Sequence, residues 1–177
     1  MTGQRYKVQR RMAVAALWLL AVCVPTAALA LGDAKALAAY EAKSYREAMR
    51  LYRPLAEKGD VEAQYYLGRM YEKGEGVSKD EEQLAKWYRR SAEGGYAKAQ
   101  YKVAVAHAFG LAGTPRSDDE AIKWLRRSAE GGYPRAQKML GRAYAEGRFG
   151  LARDPKQAEY WTKKSEAPIT TPKTEAR

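Results

Sequence analysis

Few residues in this chain could make or break a covalent bond. It holds one cysteine, Cys23, and one histidine, His107. A Cys/His metal site is therefore excluded, and a Ser–His–Asp relay would rest on a single imidazole. Paired carboxylates could in principle serve as a hydrolytic acid and base. Yet Glu47, Asp80, Glu81, Glu82, Asp118, Asp119, Glu120 and Asp154 all fall where helices are expected to start, and there they complement the helix dipole without any catalytic duty. Trp87, Trp124 and Trp161 could form an aromatic binding ladder, but they recur at an inward position and read as core. No catalytic residue, metal ligand or cofactor is expected.

The recurrence of these residues reveals the elements that hold them. Ala63-Gln64 returns as Ala99-Gln100 and Ala136-Gln137, and Glu93-Gly94-Gly95-Tyr96 returns as Glu130-Gly131-Gly132-Tyr133. Gly74, Gly110 and Gly147 keep the same step of about 36 residues, a period that marks a stack of supersecondary units. Each unit reads as two helices. In the first, Ala63, Leu67, Met70, Tyr71 and Gly74 make one apolar stripe, and Gly74 is placed to end the helix. In the second, Leu84, Trp87, Tyr88 and Ser91-Ala92 point inward. Capping boxes are expected at Ser44/Glu47, Asp80/Gln83, Ser117/Glu120 and Asp154/Gln157. Pro134 and Pro155 suit first helical positions. Gly68 and Gly141 sit in helix interiors, where close approach of a neighbouring helix would explain them, and Ala104 holds the matching place.

The expected organisation is a signal peptide over 1–30, a capping hairpin over 31–60, repeats over 61–96, 97–133 and 134–167, and a disordered tail over 168–177. In the hairpin, helices are expected over 34–43 and 45–57. The leading segment has a basic start (Arg5, Lys7, Arg10, Arg11), an apolar run from Met12 to Val24, and the small-residue pattern Ala28-Leu29-Ala30. That run is short for a membrane span of about 20 residues. Cleavage after Ala30 would deliver a periplasmic or secreted protein. An uncleaved segment would instead tether it to the membrane. Lipidation at Cys23 is disfavoured by the bulky Val22 before it.

Cleavage would leave 28 basic against 21 acidic residues, and with them no cysteine. A basic exported protein suits anionic partners, and nucleic acid is a poor candidate outside the cytoplasm.

These residues resemble the Sel1-like repeat family, a branch of the tetratricopeptide-like helical superfamily. The stretch Glu62-Ala63-Gln64-Tyr65-Tyr66-Leu67-Gly68, continuing through Tyr71 and Gly74-Glu75-Gly76-Val77, follows the family pattern almost throughout. The middle unit departs with Ala104, with His107 for tyrosine and with Thr114-Pro115 in its loop; the last has Phe149-Gly150-Leu151. The resemblance implies an all-α, right-handed superhelical solenoid of antiparallel helix pairs that binds partner proteins or peptides. A cysteine-rich subgroup is associated with penicillin-like ligands, an inference that does not carry over to a cysteine-free mature chain.

In such stacks the first helix of each pair lines the concave surface. One side of these helices carries Glu62, Tyr66, Arg69 and Lys73, then Lys98, Lys102, Val105 and Phe109, then Arg135, Met139, Arg142 and Glu146. Tyr66, Arg69, Lys73, Lys98, Lys102, Phe109, Arg135, Met139 and Arg142 are the candidate partner-binding residues. Cations interleaved with apolar groups suit an acidic protein or peptide; an anionic envelope polymer, peptidoglycan or acidic exopolysaccharide, is the alternative. His107, on the inward stripe, reads as a packing residue.

Overall fold

The computed structural model describes residues 33–167. The expected signal peptide and the polar tail lie outside the described residues.

Helix α1 runs over 33–41, followed by α2 (Tyr45–Glu57), α3 (Val61–Lys73), α4 (Glu81–Glu93), α5 (Ala97–Phe109), α6 (Asp118–Glu130), α7 (Pro134–Glu146) and α8 (Pro155–Glu166). Among the described residues there is no strand, and from α2 to α8 each helix packs on the next along the chain. The result is an all-helical solenoid of consecutive helix pairs. Among the described residues no helix is long and apolar enough to cross a membrane.

Local chemistry sets the bounds. Gly74, Gly110 and Gly147 end the first helices with left-handed φ of 75°, 66° and 69°, a conformation glycine adopts without a Cβ clash. Pro134 and Pro155 open α7 and α8, where a missing N–H costs no helical bond. The carboxylate or hydroxyl oxygens of Asp60, Asp80, Ser117 and Asp154 accept from N–H groups in the first turns of α3, α4, α6 and α8.

The capping boxes are only half formed. The N–H groups of Asp80, Ser117 and Asp154, which a reciprocal box would give to the side chain three residues on, donate instead to the carbonyls of Tyr71, His107 and Tyr144. That bond recurs in all three units and pins the start of each second helix to its first helix. Ser44 makes no cap bond at all. Lys43 before it takes φ 60° in a tight turn, and Ser44 has ψ 60° where the other second-helix caps lie between 98° and 112°. Its hydroxyl is thus not aimed at the helix.

Units are tied to one another by the repeated glutamine. Gln64, Gln100 and Gln137 donate through Nε2 to the carbonyls of Ala56, Ala92 and Ala129 at 3.0, 3.2 and 3.0 Å. Ser91 and Ser128 donate back to Val61 and Ala97, each at 2.6 Å. The glutamine bonds cross between units and the serine bonds join the two helices of one unit, all in buried or half-buried places where an unmet polar group would be costly. Around them lies the core. Trp87, Trp124 and Trp161 are buried in it, and two clusters meet through Tyr66 and Leu84, which pack against both. Gly68 and Gly141 do mark close approaches: a Cβ at Gly68 would lie 2.6 Å from the Tyr88 ring, and one at Gly141 2.8 Å from the Thr162 hydroxyl.

Candidate functional site

The candidate residues lie on α3, α5 and α7, equivalent helices of successive units, yet they fall into two environments. The first surrounds Arg69. Its guanidinium sits 5.2 Å from the ring centre of Tyr40, 5.7 Å from Tyr66 and 5.9 Å from Tyr65. Tyr66 stacks on Tyr52 with ring centres 4.9 Å apart and planes 7° from parallel. The sequence pattern places Tyr66 and Arg69 on a solvated face; the structure makes them half-buried members of an aromatic cluster. A half-buried cation over several rings gains about 1–2 kcal/mol, so Arg69 is held as a structural element. Burial pushes the Tyr65 and Tyr66 hydroxyls above the usual tyrosine range, which keeps both rings neutral.

Lys102 belongs to the same environment. Its ammonium lies 2.7 and 2.8 Å from the two oxygens of Glu72, and the Tyr88 hydroxyl donates to that carboxylate at 2.6 Å. Burial alone would raise the Glu72 pKa, but the bonds from Lys102 and Tyr88 outweigh it and hold the carboxyl below its ordinary value. Lys73 pairs with Glu75 at 3.5 Å, and Lys98 lies 5.6 Å from the Tyr96 ring centre.

The second environment is a groove between α5 and α7, with a volume of about 470 Å³. Here Phe109, Arg135, Met139 and Arg142 come together. The groove also takes in Lys138 and Arg148, and no carboxylate lines it. Arg148 approaches Glu146 at 3.5 Å; Arg135, Lys138 and Arg142 have no ion-pair partner among the described residues. Phe109 is 54% exposed at its edge, whereas Phe149 is buried beside it with φ 53°. That backbone conformation is costly for a bulky residue, and burial of the ring offsets it.

Sequence reasoning missed Tyr40, Glu72, Lys138, Arg148 and Phe149. Lys138 was legible in principle, since it neighbours Met139 on α7. Glu72 was not, because its partner Lys102 is 30 residues away and off the repeat period. His107 is buried, and its Nδ1 lies 3.3 Å from the Pro115 carbonyl. Among the described residues no group of three His, Cys, Asp or Glu gathers as metal ligands would.

The sequence profile described as Sel1 repeat matches four stretches of the chain, 25–60, 61–96, 97–133 and 134–166. The chain belongs to the Sel1 repeat family. The first matched stretch includes the segment read above as a capping hairpin. Two solved structures agree. A Sel1 repeat protein from Oxalobacter formigenes is 36% identical with a TM-score of 0.61, over 65% of this chain and 85% of its own. A protective antigen of uropathogenic Escherichia coli strains, displaying an SLR fold, is 33% identical with a TM-score of 0.60. That match covers 69% of this chain and only 26% of the antigen. No curated protein sequence matches. Sel1 repeats are typically non-catalytic scaffolds, and they generally mediate protein–protein interaction.

Proposed function

We propose that this Sel1 repeat protein is an exported, non-catalytic scaffold that holds an acidic, partly apolar segment of a partner protein in the α5/α7 groove. One observation carries the reading: Arg135, Lys138, Arg142 and Arg148 surround Phe109, Met139 and Phe149 with no carboxylate among the lining residues. Arginine forks bind carboxylates through paired hydrogen bonds, and the apolar floor takes aliphatic side chains between them. The basic and apolar leading segment, ending Ala28-Leu29-Ala30, supports export to the periplasm or beyond. Mass measurement of the protein recovered from cells tests that part. A chain retaining residues 1–30 would replace the exported form with a membrane-tethered one.

The binding test uses two fluorescent peptides of equal charge, one alternating glutamate with leucine and one alternating glutamate with serine. The scaffold reading expects the full chain to favour the leucine peptide, and Arg135→Glu/Lys138→Glu/Arg142→Glu to lose both. The same cations could serve an anionic envelope polymer. Equal binding of the two peptides, together with salt-sensitive sedimentation on isolated cell wall, would replace the protein partner with the polymer.

A further inference from the structure

A second cavity, of about 400 Å³, opens between α4 and α5. It arises at the one break in a repeating contact. In the preceding crevice, between α2 and α3, Arg53 donates to the Tyr71 hydroxyl at 3.3 Å. In the following one, between α6 and α7, Arg126 donates to the Tyr144 hydroxyl at 3.2 Å. The repeat puts Arg89 and His107 at the corresponding positions of α4 and α5. Imidazole is shorter than phenol, and its Nδ1 turns to the Pro115 carbonyl. Arg89 consequently has no hydrogen-bond or ion-pair partner among the described residues, and it lines the cavity together with His107.

We propose that this cavity receives a tyrosine side chain from a partner polypeptide, with the phenol hydroxyl accepting from Arg89. The two flanking crevices show what fills such a space in this fold: a phenol ring whose oxygen meets an arginine. Leu84, Val103 and Ala106 supply apolar walls for the ring. Leu111, 49% exposed, stands on the rim, where an incoming backbone would cover it. The charge balance also selects a neutral occupant. Lys79, Arg89 and Lys102 are matched by Glu72, Asp80 and Glu81 around the cavity, and Lys102 is already bound to Glu72. A volume near the lower end of the ligand-pocket range, roughly 300–1,000 Å³, suits one ring and its tether. The inference is independent of the α5/α7 groove.

The test titrates the full chain with N-acetyl-L-tyrosinamide and follows NMR signals. His107 is the sole histidine, so its imidazole protons report without ambiguity. Saturable shifts are expected, with the phenylalanine analogue about tenfold weaker for want of the hydroxyl bond. Arg89→Gln should bring the two ligands within about twofold of one another. His107→Tyr carries the residue that both neighbouring units tolerate, so it should fold, and it should abolish the shifts at the Val103 and Ala106 amides. Arg135→Glu/Lys138→Glu/Arg142→Glu should leave the titration unchanged, which separates this site from the groove. No saturable shift in the wild-type chain, equal binding of the phenylalanine analogue, or undiminished binding by His107→Tyr would each overturn the proposal.

Discussion

Arg69 and Arg142 occupy equivalent positions of α3 and α7, yet one is a structural element and the other is open to a ligand. The difference comes from their neighbours. Around Arg69 the chain places Tyr65 and Tyr66; at the matching positions of α7 it places Lys138 and Met139. Two rings cage the first guanidinium, whereas a second cation and a flexible thioether leave the second one accessible. A repeat fixes where a side chain emerges, and the residues one turn away decide whether it is available. A basic stripe read from the period alone is therefore not a uniform surface.

The largest expected effect comes from reversing the open end. Arg135→Glu/Lys138→Glu/Arg142→Glu should weaken the glutamate–leucine peptide by about 100-fold or more, because three charge-assisted contacts become repulsions. Fluorescence anisotropy reads the binding, and an unchanged circular dichroism spectrum confirms the fold. Retained affinity would show that the groove is an ordinary solvated face.

Next comes the closed end. Tyr66→Ala removes the ring stacked on Tyr52 and one wall of the Arg69 cage, and should cost about 2 kcal/mol of stability in chemical denaturation. Peptide affinity should not change. A variant that loses binding but not stability would reverse the roles of the two ends.

A smaller effect follows from grafting one environment onto the other. Lys138→Tyr with Met139→Tyr gives α7 the ring pair of α3, and should weaken the peptide about fivefold by covering Arg142 and removing one cation. Full affinity in this variant would show that the rings do not control access.

The sequence made the solenoid plain because each unit contacts only its neighbours, so a local period is also the global plan. The bounds of α2 and α3, and the buried place of all three repeated tryptophans, follow from that pattern. The site was half legible. Phe109, Arg135, Met139 and Arg142 do converge, and the helical spacing places them on one face. What the pattern could not supply is contact off the period. Glu72 with Lys102 and Arg69 with Tyr40 are pairings of unlike positions, made only when units stack. The Ser44 cap failed for a related reason: residue type satisfied the motif, but the tight turn at Lys43 set a backbone angle that the motif does not encode.

The smallest effect is a pH response confined to the closed end. Glu72 has its carboxyl held below the ordinary 4.5, since the bonds from Lys102 and Tyr88 outweigh the opposing effect of burial. A depressed folded value means that the group stabilises the fold at pH above the unfolded value. That contribution fades as pH falls through about 4.5 and is gone below the folded value. The full chain should therefore lose melting temperature on acidification more steeply than Glu72→Gln, which has no proton to take up there. Around neutral pH both should be flat. The open end has no counterpart, because Ala108 of α5 and Met139 of α7 stand where the repeat would place Glu72 and Lys102. Peptide affinity of Glu72→Gln should thus follow the wild-type pH profile. Parallel melting profiles for the two proteins between pH 3 and 6 would show that the Glu72–Lys102 pair contributes nothing, leaving the tyrosine rings as the sole difference between the two ends.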